Sequence, residues 1–144
     1  NMQLTIKNKD LNTLYRVLDK IKITNMRANR GRAKLLAKVE GKLSEYAKDE
    51  VDIIDQYVAK NDDGKWITDD KGNPKIEDTS KLAELNDFLD ELASEPVVIK
   101  GGEYSKRFID FLEYLAESED EFTSSEIILI DNILEQFEES KKGE

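Results

Sequence analysis

The chain has 144 residues, of which 38% are charged and 38% hydrophobic, and its formal net charge is −10. It contains no Cys and no His, which excludes disulfides, zinc–thiolate sites, thiol nucleophiles and imidazole acid–base chemistry. A chain of this length makes one domain with a real core, and its composition favours helices that expose a whole polar face.

Met2-Gln3-Leu4-Thr5-Ile6-Lys7 alternates apolar and polar residues, which predicts a short strand, and Met2 is the expected natural start. Asn8-Lys9-Asp10 offers capping oxygens to a helix carrying Leu11, Leu14, Tyr15, Val17, Leu18 and Ile21. A second helix is expected from Ala28 to Ala59, with Gly31 and Gly41 as its only weak points. Its apolar stripe runs through Leu36, Val39, Leu43 and Tyr46, then drifts through Ala47, Val51, Ile54 and Val58. At about 1.5 Å per residue such a helix is about 45–50 Å long and is expected to project from so small a domain.

Asn61-Asp62-Asp63-Gly64 ends that helix with turn chemistry. Residues 65–68 and 74–77 then read as a β-hairpin around the loop Asp69-Asp70-Lys71-Gly72-Asn73. A third helix starts near Asp78-Thr79-Ser80 with Leu82, Leu85, Leu89 and Leu92 on one face and Phe88 beside it. Glu95 to Lys100 is a second strand, expected to pair with the first. Gly101-Gly102 turns into a helix bearing Tyr104, Phe108, Phe111, Leu112 and Leu115. Thr123-Ser124-Ser125-Glu126 is a capping box for a fifth helix with Ile127, Ile130, Ile133, Leu134 and Phe137 inward, and Glu138 to Glu144 is expected to fray.

The sum is a mainly α (α+β) fold of about five helices in a single domain, 1–144. A long antiparallel helical stalk capped by a β-hairpin occupies about 28–94. A helical part follows over about 103–139, and the N-terminal strand pairs with residues near 96–100.

No P-loop, dinucleotide fingerprint or nucleophile elbow occurs. The Asp-rich turns at 62–64 and 69–73 lack the ligand spacing of a calcium loop, so they are read as turns. No catalytic, metal or cofactor-binding residue is assigned, no cofactor is expected, and the protein is read as non-enzymatic. No run approaches the roughly 18 apolar residues of a membrane helix, and no signal peptide opens the chain, so a cytoplasmic protein without membrane contact is expected.

Charge is unevenly placed. Residues 1–60 hold 13 basic and 8 acidic side chains, while residues 61–144 hold 9 and 24. Lys20, Lys22, Arg27, Arg30, Arg32, Lys34 and Lys38 follow one another without an intervening acid. That run reads either as a phosphate-binding patch or as a partner for the acidic half, within the chain or between subunits. The second reading is preferred, because the run lacks interleaved aromatics and the chain as a whole repels nucleic acid. Arg27, Arg30, Arg32, Lys34 and Trp66, the one tryptophan, are the candidate contact residues. The acidic clusters Glu117 to Glu121 and Glu135, Glu138 and Glu139 are either solvated helix faces or a mimic of a phosphate backbone.

The order of features resembles a known family. It comprises the start strand, the segment Arg30, Arg32, Lys34, Leu35 and Leu36, the stretch Lys48-Asp49-Glu50 and the Gly-turn hairpin. A Leu/Glu helix, Val97-Val98-Ile99 and Gly101-Gly102-Glu103-Tyr104 complete it. From Met2 to Phe137 the chain is similar to the uncharacterised phage and prophage family of Gram-positive bacteria known as domain of unknown function 1617. The resemblance implies a phage origin, hence the cytoplasm of a bacterial host or association with the virion, and carries no catalytic residue. The expectation is a phage protein acting by protein–protein contact in phage structure or assembly, with an unidentified phage or host partner or as a homo-oligomer. The alternative is an acidic host-takeover inhibitor of the DNA-mimic type that binds a bacterial DNA-processing protein.

Overall fold

The computed structural model describes residues 2–143. The fold is mainly α: β1 (Gln3–Lys7), α1 (Leu11–Lys20), α2 (Met26–Asp55), α3 (Leu82–Ser94), β2 (Pro96–Lys100), α4 (Ser105–Ala116) and α5 (Ser124–Lys142). Residues group into two compact units, one made of 2–43 with 96–143 and the other of Ser44–Glu95, and α2 contributes to both.

In the first unit, β1 and β2 pair antiparallel with Leu4 opposite Ile99. Period two puts Leu4, Ile6 and Ile99 inward, and leaves Gln3, Thr5, Lys7, Pro96, Val98 and Lys100 on the outer face. The core beneath the sheet gathers Leu14 of α1, Leu35 and Val39 of α2, Phe108 and Phe111 of α4 and Ile133 of α5. At Gly31 the backbone of α2 comes so close to α4 that a Cβ there would lie 2.0 Å from the carbonyl oxygen of Arg107. Only a glycine permits that approach.

Several expectations are corrected. Asn8–Asp10, expected to offer capping oxygens, forms a 3-10 turn in which the backbone N–H of Leu11 donates to the Asn8 carbonyl and Asp10 makes no side-chain cap. Along α2 the buried positions are Ala28, Gly31, Leu35 and Val39, whereas Ala47 and Val51 of the expected stripe are exposed. The half-buried continuation runs through Tyr46, Glu50, Ile53 and Ile54, a straight 3.6-residue seam. In α5 Leu129 is buried and Ile127 is 47% exposed. The C-terminal segment, expected to fray, is helical as far as Lys142. There Ser140 Oγ donates to the Phe137 carbonyl at 2.6 Å, and the Lys141 ammonium sits 4.3 Å over the Phe137 ring. Glu144 lies outside the described residues.

In the second unit α2 ends at Asp55, four residues before the expected Ala59, and the released backbone joins the hairpin. Ala59 N–H donates to the Lys75 carbonyl at 2.7 Å, Lys75 N–H to Ile67 at 2.9 Å, and Ile67 N–H back to Ala59 at 2.9 Å. Three extended pieces therefore close a ring of hydrogen bonds where two were expected. Gly64 (φ +76°) and Gly72 (φ +81°) make the two turns. Asn61 and Asp69 support them, each side-chain oxygen accepting two backbone N–H bonds. Val58, Leu85 and Leu92 are the buried apolar residues of this unit.

Candidate functional site

Three of the seven basic residues in the run, Lys20, Arg32 and Lys34, are spent on the chain's own fold. Lys20 ends α1, and its Nζ lies 2.6 Å from Oε1 of Glu126 in the acidic half. Glu126 is only 6% exposed. The same Oε1 accepts the Thr123 N–H at 2.8 Å, while Thr123 Oγ1 accepts the Glu126 N–H, so the expected capping box forms. The Lys20 ammonium, and then the Thr123 N–H, hold the Glu126 carboxyl below the usual carboxylate range. Arg32 donates from Nη1 to the Leu18 carbonyl at 2.7 Å and from Nε to Asn29 at 2.8 Å. That guanidinium satisfies a last-turn carbonyl of α1 which the helix itself leaves unpaired. Lys34 places its ammonium 4.3 Å from the centroid of Tyr104.

Arg27 and Arg30 remain exposed at the start of α2. Arg27 lines a groove of about 720 Å³ shared with Asp110, Glu113, Glu117, Glu119 and Asp120. Here too a basic residue stands among acids of the second half, although Arg27 itself forms no ion pair among the described residues. No group of His, Cys, Asp and Glu side chains among the described residues is arranged to hold a metal ion. None of the described helices is long and apolar enough to cross a membrane.

Trp66 is half-buried, and its Nε1 donates to Asp55 Oδ1 at 2.7 Å. Lys60 lies 3.4 Å from the same oxygen and donates to the Asp55 carbonyl at 2.8 Å. These bonds fasten the three-piece tip to the end of α2. The indole N–H, aided by Lys60, holds the Asp55 carboxyl below its usual range.

A second groove, of about 520 Å³, lies between β1 and α5. Its walls are Lys7, Lys9, Asp10 and Pro96 on one side and Ile128, Asn132 and Gln136 on the other. Ile128 is 72% exposed, the most exposed large apolar side chain described. Gln136 bridges the two walls: its Oε1 accepts the Thr5 N–H at 2.8 Å and its Nε2 donates to the Thr5 carbonyl at 2.9 Å. One side-chain amide thus takes the place of a neighbouring strand on the open edge of β1.

No groove is among the sequence expectations. A signal was present in Ile127-Ile128-Leu129-Ile130, because a helix cannot turn four consecutive apolar residues toward one core. The Gln136–Thr5 pairing spans 131 positions and has no local signature.

Among known proteins, a family model described as "Protein of unknown function (DUF1617)" matches residues 2–144. No curated protein and no solved structure matches the chain.

Proposed function

The chain belongs to the DUF1617 family, and we propose that it works without catalysis, by protein–protein contact, in phage structure or assembly. The observation that carries this reading is the exposure of Ile128 at the groove beside β1, with exposed Ile127 next to it in the chain. Solvent-facing Leu82 and Phe88 on α3 add to it. Large apolar side chains left in water at such positions are the usual anchors of a contact surface. The lack of His and Cys removes the commonest acid–base and nucleophilic groups, in keeping with a contact role. The place of action is the cytoplasm of a bacterial host, or the virion, with a phage or host protein or a second copy as partner.

Sedimentation of the purified chain, alone and with proteins of the infected host, tests the reading. Mass above the 16.5 kDa monomer, or co-sedimentation of a phage protein, is expected. A lone monomer at every concentration contradicts it.

A second reading draws on the carboxylates around Arg27: the chain acts as an acidic decoy for a bacterial DNA-processing protein. Its mark is binding to such an enzyme that falls steeply with salt and competes with DNA.

A further inference from the structure

We infer that the Phe88 margin of α3, in the second unit, docks a basic amphipathic helix of a partner protein. The inference rests on the contact reading above and names a partner surface apart from the groove at β1.

At 3.6 residues per turn, Leu82, Leu85, Phe88, Leu89 and Leu92 form one apolar stripe about 120° wide on α3. Only its middle is covered: Leu85 and Leu92 are buried and Leu89 is half-buried. Both margins face water, Phe88 being 46% exposed and Leu82 45%. The unit has little left to cover them with. Its other buried apolar residue is Val58, and Tyr46, Ile53 and Ile54 of α2 are themselves half-buried. An apolar stripe wider than its cover is completed by one more apolar element.

The charge around Phe88 selects what that element carries. Glu84 and Glu91 stand one turn before and one turn after it on the same side of α3, Glu95 follows at the C-cap, and all three are exposed. Residues 82–94 include no Lys or Arg. Residues 44–95 hold 16 acidic and 6 basic side chains, so this unit carries the chain's whole net charge of −10 and the other unit is neutral. An acidic helix laid on Phe88 would be repelled, whereas Lys and Arg flanking an apolar row meet attraction there. The same field turns away a second copy that presents this unit. Tyr57 Oη donates to Glu84 at 2.7 Å and ties the end of α2 to this margin, which fixes the surface before a partner arrives.

The test titrates the full chain into a fluorescein-labelled synthetic helix with Leu on one face and Lys and Arg on the other, read by anisotropy. Two control peptides keep its length. One has the same residues in scrambled order, and the other has Glu in place of every Lys and Arg. The basic amphipathic peptide should bind, less tightly as salt rises, and both controls should bind at least about tenfold more weakly. Phe88→Ala should weaken binding about tenfold, and so should Glu91→Lys combined with Glu95→Lys, while Met26→Ala in the first unit leaves it unchanged. All of these positions are exposed, and circular dichroism of each variant checks that it is folded. Amide exchange of the parent needs no variant: bound peptide should slow it along α3 and not along α5.

Binding that survives Phe88→Ala, that the scrambled peptide matches, or that slows exchange in α5 and not in α3 overturns this docking surface and leaves the contact reading standing. Self-association that Phe88→Ala abolishes, with no peptide bound, makes a second copy the occupant and overturns the basic helix. Failure of every peptide to bind overturns the inference. If sedimentation also finds a lone monomer with no phage protein beside it, the contact reading falls as well.

Discussion

Lys20 Nζ and Glu126 Oε1 lie 2.6 Å apart although 106 positions separate them in the chain. This pair joins the basic first part of the sequence to the acidic second part inside one folded unit. It also locks the end of α1 to the start of α5, because Glu126 is at once a capping-box residue and an ion-pair partner. The Glu126 carboxyl is held below its ordinary value of 4.5 by Lys20 first and the Thr123 N–H second. A carboxyl with a depressed folded pKa stabilises the fold above the unfolded value, and that contribution is lost as pH falls through the folded one. Thermal unfolding of the parent and of Glu126→Gln should therefore differ most above pH 4.5 and converge below it. The gap should also shrink in high salt, since the Lys20 side chain is 42% exposed. A gap independent of pH would show that charge plays no part in the contact.

Two glycines of α2 should respond to the same substitution with opposite signs. At Gly31 an added Cβ would lie 2.0 Å from the Arg107 carbonyl oxygen and 2.9 Å from Phe111 Cβ, so α2 and α4 would have to part. Gly31→Ala should cost about 3 kcal/mol or more by urea unfolding, at the high end for overpacking. At Gly41 an added Cβ meets nothing within 4 Å. There Gly41→Ala should stabilise by up to about 1 kcal/mol through helix propensity alone.

Because Trp66 is the single tryptophan, its fluorescence reports on the second unit without interference. Its indole N–H binds Asp55, whose carboxyl is held below its ordinary value of 3.8 by that bond and by Lys60. Emission should change only at acid pH, as Asp55 protonates below the range in which an ordinary Asp titrates. In Asp55→Asn the neutral-pH emission should already be altered, and the acid transition assigned to Asp55 should vanish. A transition retained in that variant would assign it to another group.

The bidentate grip of Gln136 on Thr5 should be visible in amide exchange. Gln136→Ala leaves the Thr5 N–H and carbonyl of β1 open to water, so exchange at Thr5 should accelerate while Leu4 and Ile6, bonded toward β2, hold their protection. The stability lost should be about 1 kcal/mol, the scale of a hydrogen bond that water can replace. Equal acceleration across β1 would mean that Gln136 supports the whole sheet.

What could be read in the sequence follows the reach of each signal. The alternation in Gln3 to Lys7, the Thr123/Glu126 spacing and the glycine turns at 64 and 72 act over a few residues, and each appears in the structure as expected. The phase of α5 differs from expectation because Ile127 to Ile130 is apolar without a break. Burial of Glu126 against Lys20 turns the helix so that Leu129 goes inward and Ile127 outward. Helical order at 138–142 is likewise not legible in the sequence. The segment is almost wholly charged, yet Ser140 and Lys141 bind back to Phe137. In the tip, the pairing of residue 59 with 67 and 75 became possible only once α2 stopped at Asp55, and nothing local marks that stop. Of the candidate contact residues, Arg32, Lys34 and Trp66 have partners that sequence alone does not name: Leu18 with Asn29, Tyr104 and Asp55.

A protein that works through its surfaces is tested most directly by sedimentation equilibrium across a wide concentration range, alone and with phage proteins. A mass above the 16.5 kDa monomer, or a phage protein sedimenting with the chain, is the predicted result. A mass fixed at the monomer, with no phage protein travelling beside it, would contradict the account.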